Sequence, residues 1–98
     1  MAREVVWTLR AQKERTKILH FWINHNNSNS YSIALNTLLK EAVRLIKRHP
    51  KIGRPTDIDN VRVKIVRDYL MFYELTENKI YILSVWDNRQ NPESLDLE

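Results

Sequence analysis

Val61-Arg62-Val63-Lys64-Ile65-Val66-Arg67-Asp68-Tyr69-Leu70-Met71-Phe72-Tyr73-Glu74-Leu75, followed by Thr76-Glu77-Asn78 and then Lys79-Ile80-Tyr81-Ile82-Leu83-Ser84-Val85-Trp86, is the stretch that decides the fold. Val61 to Ile65 alternates apolar and basic residues, the period-two signature of a strand with one buried face. Arg67-Asp68 and Glu77-Asn78 are short polar breaks. The runs they delimit, Tyr69 to Leu75 and Lys79 to Trp86, are rich in the β-branched and aromatic side chains that fit a pleated surface. Three such strands in succession predict an antiparallel meander.

Upstream of the meander the period changes. Leu35, Leu38, Leu39, Ala42, Leu45 and Ile46 form an apolar stripe at helical spacing, while Lys40, Glu41, Arg44, Lys47 and Arg48 face water. Pro50 closes that helix, and Ser28 or Ser30 is placed to cap its start. An earlier helix runs from about Ala11, with Ile18, Phe21, Trp22 and His25 recurring along one face. The polar cluster Asn26 to Ser30 separates the two, which predicts an antiparallel helical hairpin. Val5 to Leu9 is long enough for one strand. Pro50 to Thr56 holds two of the three prolines and the only glycine, and reads as an irregular connection. The order β-α-α-β-β-β predicts an α+β fold, an antiparallel meander with the first strand added and the hairpin packed on one face.

Composition narrows what such a fold does. A chain of 98 residues supports one hydrophobic core, so residues 1–98 read as one domain, with the closing Leu97-Glu98 read as a vector-derived scar. Without cysteine there is no disulfide framework and no thiolate chemistry. The N-terminus lacks an export signal, and no run approaches the roughly 18 apolar residues of a membrane span, so a cytoplasmic protein with no membrane partner is expected. Gly53 stands alone, which removes a glycine-rich phosphate loop; His20 and His25 are off the i, i+4 spacing of paired metal ligands, and His49 ends a helix. Neither cofactor nor metal is expected.

The net charge of +4 conceals a division. Residues 1–67 carry 14 basic and five acidic side chains, whereas residues 68–98 carry two basic and seven acidic ones. Lys40 to Arg67 alone holds nine basic residues against three acidic, a block that points to an anionic partner. Arg62 and Lys64 share a strand face by alternation and, with Arg67, are the candidates to hold an anion. Asp57 and Asp59 read as turn residues.

Several local patterns together resemble the RelE/ParE superfamily of toxins from toxin–antitoxin modules, over Val6 to Leu95. They are Trp7-Thr8 with Ala11 entering the first helix, Pro50-Lys51-Ile52-Gly53-Arg54 after the second, Arg62 to Tyr73, and Ile80 to Pro92. The resemblance implies a type II toxin, of the kind described for plasmid stabilisation systems, held inactive by binding of a cognate antitoxin. RelE-like members cut messenger RNA on the ribosome with basic and aromatic groups, and Arg62, Lys64 and Arg89 fall where such cations stand. The family's Arg after the leading Tyr of the middle meander strand is Leu70 here, and a position often His or basic is Asp87. An aliphatic and an acidic side chain there do not stabilise a phosphoryl transition state, so catalytic residues stay unassigned. ParE-like members poison DNA gyrase by binding, which needs no such set, and that reading is favoured; Tyr31, Trp86 and Asp87 are then candidates for the partner surface, and Trp22, on the apolar stripe of the first helix, reads as core ahead of a partner anchor. Messenger RNA cleavage, and a degenerate homologue without toxicity, are the alternatives. Apolar surface left uncovered would let the free chain self-associate.

Overall fold

A computed structural model describes residues 3–90. It contains β1 (Glu4–Trp7), α1 (Leu9–Asn26), α2 (Ser30–Arg48), β2 (Arg54–Pro55), β3 (Val61–Val66), β4 (Tyr69–Leu75) and β5 (Lys79–Asp87). The expected α+β architecture is present: the strands form one sheet of order β1-β5-β4-β3-β2, with the helices against one face. The meander is antiparallel, and β1 joins its far side parallel to β5. Arg54–Pro55, read from the sequence as irregular, is a two-residue strand on β3. The Pro92 tail and Leu97-Glu98 lie outside the described residues.

Thr8 turns strand into helix. Its N–H and its hydroxyl both donate to the Ile82 carbonyl, at 3.1 and 2.8 Å, which fastens the end of β1 to β5. The same oxygen accepts the Ala11 N–H at 3.2 Å as the N-cap of α1. Where β1 stops, the next stretch of β5 edge would be left bare. There the Glu14 carboxylate, one turn into α1, accepts the Val85 N–H at 3.1 Å and the Ser84 hydroxyl at 2.8 Å. Asn27 closes α1 in the left-handed conformation that asparagine tolerates, and Ser30 begins α2 after a three-residue link. The N-cap of α2 is Asn29, with no side-chain cap bond; Ser28 instead accepts the Ser30 N–H.

The core lies between α2 and the helix-facing side of the sheet. Leu35, Leu39, Ala42 and Ile46 are buried against Tyr69, Met71, Tyr73, Ile80, Ile82 and Val85. The stripe on α2 therefore reads true. That on α1 does not: Ala11 is its only fully buried residue, Ile18 and Trp22 are half-buried, and Phe21 and His25 are exposed. A second correction concerns β3. Cross-strand partners share a face, and Arg62, Lys64 and Val66 pair with Tyr73, Met71 and Tyr69. Arg62 and Lys64 do share a face, but it is the helix side; Val63 and Ile65 point to the opposite face, where Ile65 is 53% exposed. Val66 joins the core cluster and Val61 does not. The two-residue turn at Arg67 sets Val66 opposite Tyr69 and so fixes this phase, with Arg67 at a left-handed φ of 57°.

The connection from α2 to β2 is clamped from within the sheet. Tyr73, fully buried, donates its hydroxyl to the Pro50 carbonyl at 2.7 Å and accepts the Gly53 N–H at 2.9 Å. Arg62 adds a cationic clip, donating from Nη1 to the carbonyls of Gly53 at 2.7 Å and Lys51 at 3.2 Å. Only glycine fits at 53, since a Cβ there would sit 2.7 Å from the Tyr73 oxygen and 2.8 Å from the Val63 carbonyl oxygen. Gly53→Ala is accordingly expected to lower stability by about 1–3 kcal/mol through overpacking, read as a reduced urea midpoint with an unchanged slope.

Candidate functional site

At the end of the sheet marked by the Arg67-Asp68 turn, side chains from α1, β4 and β5 meet. Tyr69 and Asp87 are cross-strand partners on the helix side, which turns both toward α1. Trp22 donates its indole N–H to the Tyr69 hydroxyl at 2.7 Å. Burial raises the Tyr69 pKa, the Trp22 bond opposing it in part. Arg89 grips Asp87 with Nε and Nη2 at 3.0 and 2.8 Å, and its guanidinium carbon lies 5.9 Å from the centre of the Trp22 ring. That two-pronged bond holds the Asp87 carboxyl below its ordinary range and the guanidinium above its own.

Aromatic rings spread outward from this cluster. Tyr31 lies 4.8 Å from Trp22, Phe21 packs edge-on against Trp22 at 5.1 Å, and His25 stacks on Phe21 at 5.4 Å. Phe21 is 52% exposed. Together with Lys17, Ile18 and Gln90, Phe21 and Arg89 wall an open cleft floored by Tyr69 and Asp87. Arg89, Asp87 and Tyr31 are thus brought together, as candidates from sequence, around a ring, Trp22, that the sequence reading gave to the core. Phe21 was missed because its helical phase suggested burial.

The other candidate residues lie elsewhere. Arg62 and Arg67 are five positions apart on an extended strand, about 16 Å, so Arg62 is remote from the Arg89 end of the sheet. Its guanidinium is engaged by loop carbonyls. The Lys64 and Arg67 side chains have no hydrogen bond or ion pair among the described residues, and flank a groove between α2 and β3 lined by Leu38, Glu41, Ala42 and Leu45. Along that groove β3 has an open edge. The Thr56 N–H donates to the Val61 carbonyl, so the odd-numbered residues of β3 direct their main-chain groups toward β2, and β2 pairs no farther than Val63. Among the described residues, Ile65 is left unpaired on that side. Trp86 is half-buried on the helix-free face beside Leu70, its Nε1 buried without an acceptor among the described residues. His20, His25 and His49 do not gather with carboxylates into a metal-ligating group among the described residues.

The family model for the ParE toxin of the type II toxin–antitoxin system parDE matches residues 5–92. The chain belongs to the ParE toxin family. A solved structure of a chromosomal ParDE toxin–antitoxin system from P. aeruginosa contains a chain of the same fold, with a TM-score of 0.77 at 16% identity, over 88% of this chain and 96% of that one. No curated protein matches the chain by sequence. The superfamily resemblance seen in Trp7-Thr8, Pro50 to Arg54 and Arg62 to Tyr73 is therefore correct. In this ParE chain those motifs have structural duties: Thr8 joins β1 to α1, and Gly53, Arg62 and Tyr73 close the clamp. No described helix is long and apolar enough to cross a membrane.

Arg62→Ala, which frees the Gly53 carbonyl, is expected to destabilise the fold by about 1–3 kcal/mol, whereas Lys64→Ala stays within about 0.5 kcal/mol. Equal urea midpoints for the two variants would dismiss the clip. The Asp87–Arg89 pair gives a pH test of defined sign. Because the folded Asp87 pKa is depressed, its stabilisation is present above the unfolded carboxylate range and is lost as pH falls through the folded value. Thermal melts of Asp87→Asn should lie below those of the parent at neutral pH and converge with them in acid.

Proposed function

We propose that this ParE-family chain is a toxin that acts by binding a protein target, with DNA gyrase favoured, and is silenced by a cognate antitoxin. The observation that carries the reading is the internal commitment of both arginines a nuclease would need. Arg62 donates to the Gly53 and Lys51 carbonyls, and Arg89 is neutralised by Asp87. A phosphoryl transition state is stabilised by cations aimed at it, and these two are aimed at the protein, about two strand-widths and most of a strand length apart. Leu70, half-buried between Ile65 and Trp86, offers nothing in their place.

The aromatic surface supports the binding half of the proposal. Trp, Tyr and Arg dominate the energetics of protein interfaces, and Phe21, Trp22, Tyr31 and Arg89 stand together with Phe21 bared to solvent. Neutralisation by an antitoxin, the arrangement of the ParDE system from P. aeruginosa, finds support in the unpaired edge of β3 at Ile65. An extended segment joining a sheet edge gains main-chain hydrogen bonds, and flanking grooves take its side chains. Lys64 and Arg67 favour an acidic segment there. A cytoplasmic site of action accords with these partners.

Expression of the chain alone from a tightly controlled promoter, with separate readouts of DNA supercoiling and protein synthesis, tests the proposal. Growth arrest with lost supercoiling activity and intact messenger RNA is the expected result; arrest with cleaved messenger RNA on ribosomes refutes it in favour of the RelE-like alternative, and unhindered growth points to a degenerate homologue. Phe21→Ala should melt like the parent yet weaken target binding by about 2 kcal/mol, roughly thirtyfold.

A further inference from the structure

The opposite end of the molecule carries a different kind of surface. Where α2 ends, Arg48, His49 and Lys51 gather with Arg3 around one concavity, and no carboxylate lines it among the described residues. Its floor is apolar, made by Pro50, Ile52 and Leu75, with Ile52 44% exposed. The Arg48, His49 and Lys51 side chains have no hydrogen bond or ion pair among the described residues, and only Arg3 is anchored, through Nε to the Thr76 carbonyl at 2.8 Å. A helix C-terminus presents about half a negative charge, which one nearby cation answers. Two flexible cations, Arg48 and Lys51, and the rest of the Arg3 guanidinium exceed that, and they repel one another unless an anion joins them.

We propose that this pocket is a docking site for an acidic polypeptide segment that carries a large aliphatic side chain, supplied by the neutralising partner. The inference rests on the antitoxin reading and deepens it by naming a second point of attachment, distinct from the open edge of β3. The lining decides between kinds of polyanion. A nucleic-acid strand is gripped by cations interleaved with aromatic platforms, and no phenylalanine, tyrosine or tryptophan lines this pocket among the described residues. An apolar floor rimmed by cations instead takes a leucine-like anchor with carboxylates on either side, the rim steering and orienting the segment and the floor holding it. Gly53 and Tyr73 fix the Pro50–Ile52 wall in place, so the pocket is preformed.

The test measures binding of a short labelled peptide of alternating leucine and glutamate to the full chain by fluorescence anisotropy at about physiological salt. Arg48→Glu/Lys51→Glu, both at exposed positions, should weaken binding by about tenfold or more, and a serine-for-leucine peptide should bind equally poorly. The control Lys13→Glu/Lys40→Glu makes the same change in net charge elsewhere and should stay within about threefold of the parent. Equal loss in both double variants, indifference to leucine, or tighter binding of a short DNA duplex than of the peptide would each overturn the proposal. Growth rescue by the protein encoded beside the toxin separates the two levels. Failure to rescue the parent chain removes the antitoxin reading itself, whereas undiminished affinity of that protein for Arg48→Glu/Lys51→Glu removes only the site.

Discussion

The hydroxyl of Tyr73 sits where the helical hairpin, the irregular connection and the sheet converge, and most of the architecture depends on it. A tyrosine at the centre of a sheet brings a polar atom into the core, which is stable only if that atom is fully bonded. Here it bridges Pro50 and Gly53, so the core residue that buries most volume also dictates where α2 ends and how the chain returns. From that return follow the position of β2, the pairing of Arg54 with Val63, and the orientation of Arg62 back over the loop. Burial raises the Tyr73 pKa, which keeps the phenol protonated and able to donate to Pro50.

What was legible in the sequence and what was not divides along physical lines. The α2 stripe was unambiguous because one side of the helix is all aliphatic and the other is charged. The meander was legible because its turns fall between dense β-branched and aromatic runs. The inward face of β3 was misread because period two specifies that faces alternate, not which one is buried. Val61, Val63 and Ile65 are the more apolar set, yet the turn at Arg67 puts Val66 against Tyr69 and turns them to the helix-free face, where Ile65 is exposed. α1 was misread for a related reason: most of its contact with the sheet comes through small or half-buried residues such as Ala11 and Ile18, leaving Phe21 outside. A two-residue strand containing proline, β2, has no periodicity to detect.

The candidate residues were recognisable as chemical types but not as partners. Arg62 and Arg89 were both visible as cations; their engagement by Gly53 and Asp87 depends on how a loop and a strand end fold back, which spacing does not encode. The same holds for Trp22, whose helical phase suggested core while its indole N–H reaches Tyr69 at the rim of an open cleft. The result is a surface divided by character: an aromatic end around Trp22, a bare strand edge at Ile65 and a cationic end around Arg48. One small sheet thereby offers three separate places of contact, which suits a molecule expected to meet both a target and its inhibitor.

Glu14 carries a consequence for how this chain can vary. Its carboxylate reaches Ser84 and Val85 only because α1 is capped at Thr8 and has turned through the right angle six residues later. Each residue of a helix rotates the next by about 100°, so a single insertion or deletion between Thr8 and Glu14 would swing the carboxylate off the sheet and bare the edge of β5. The Asn27 to Asn29 link bears no such phase relation. Length changes in descendants of this sequence should therefore collect between the two helices, while the spacing from Thr8 to Glu14 remains constant.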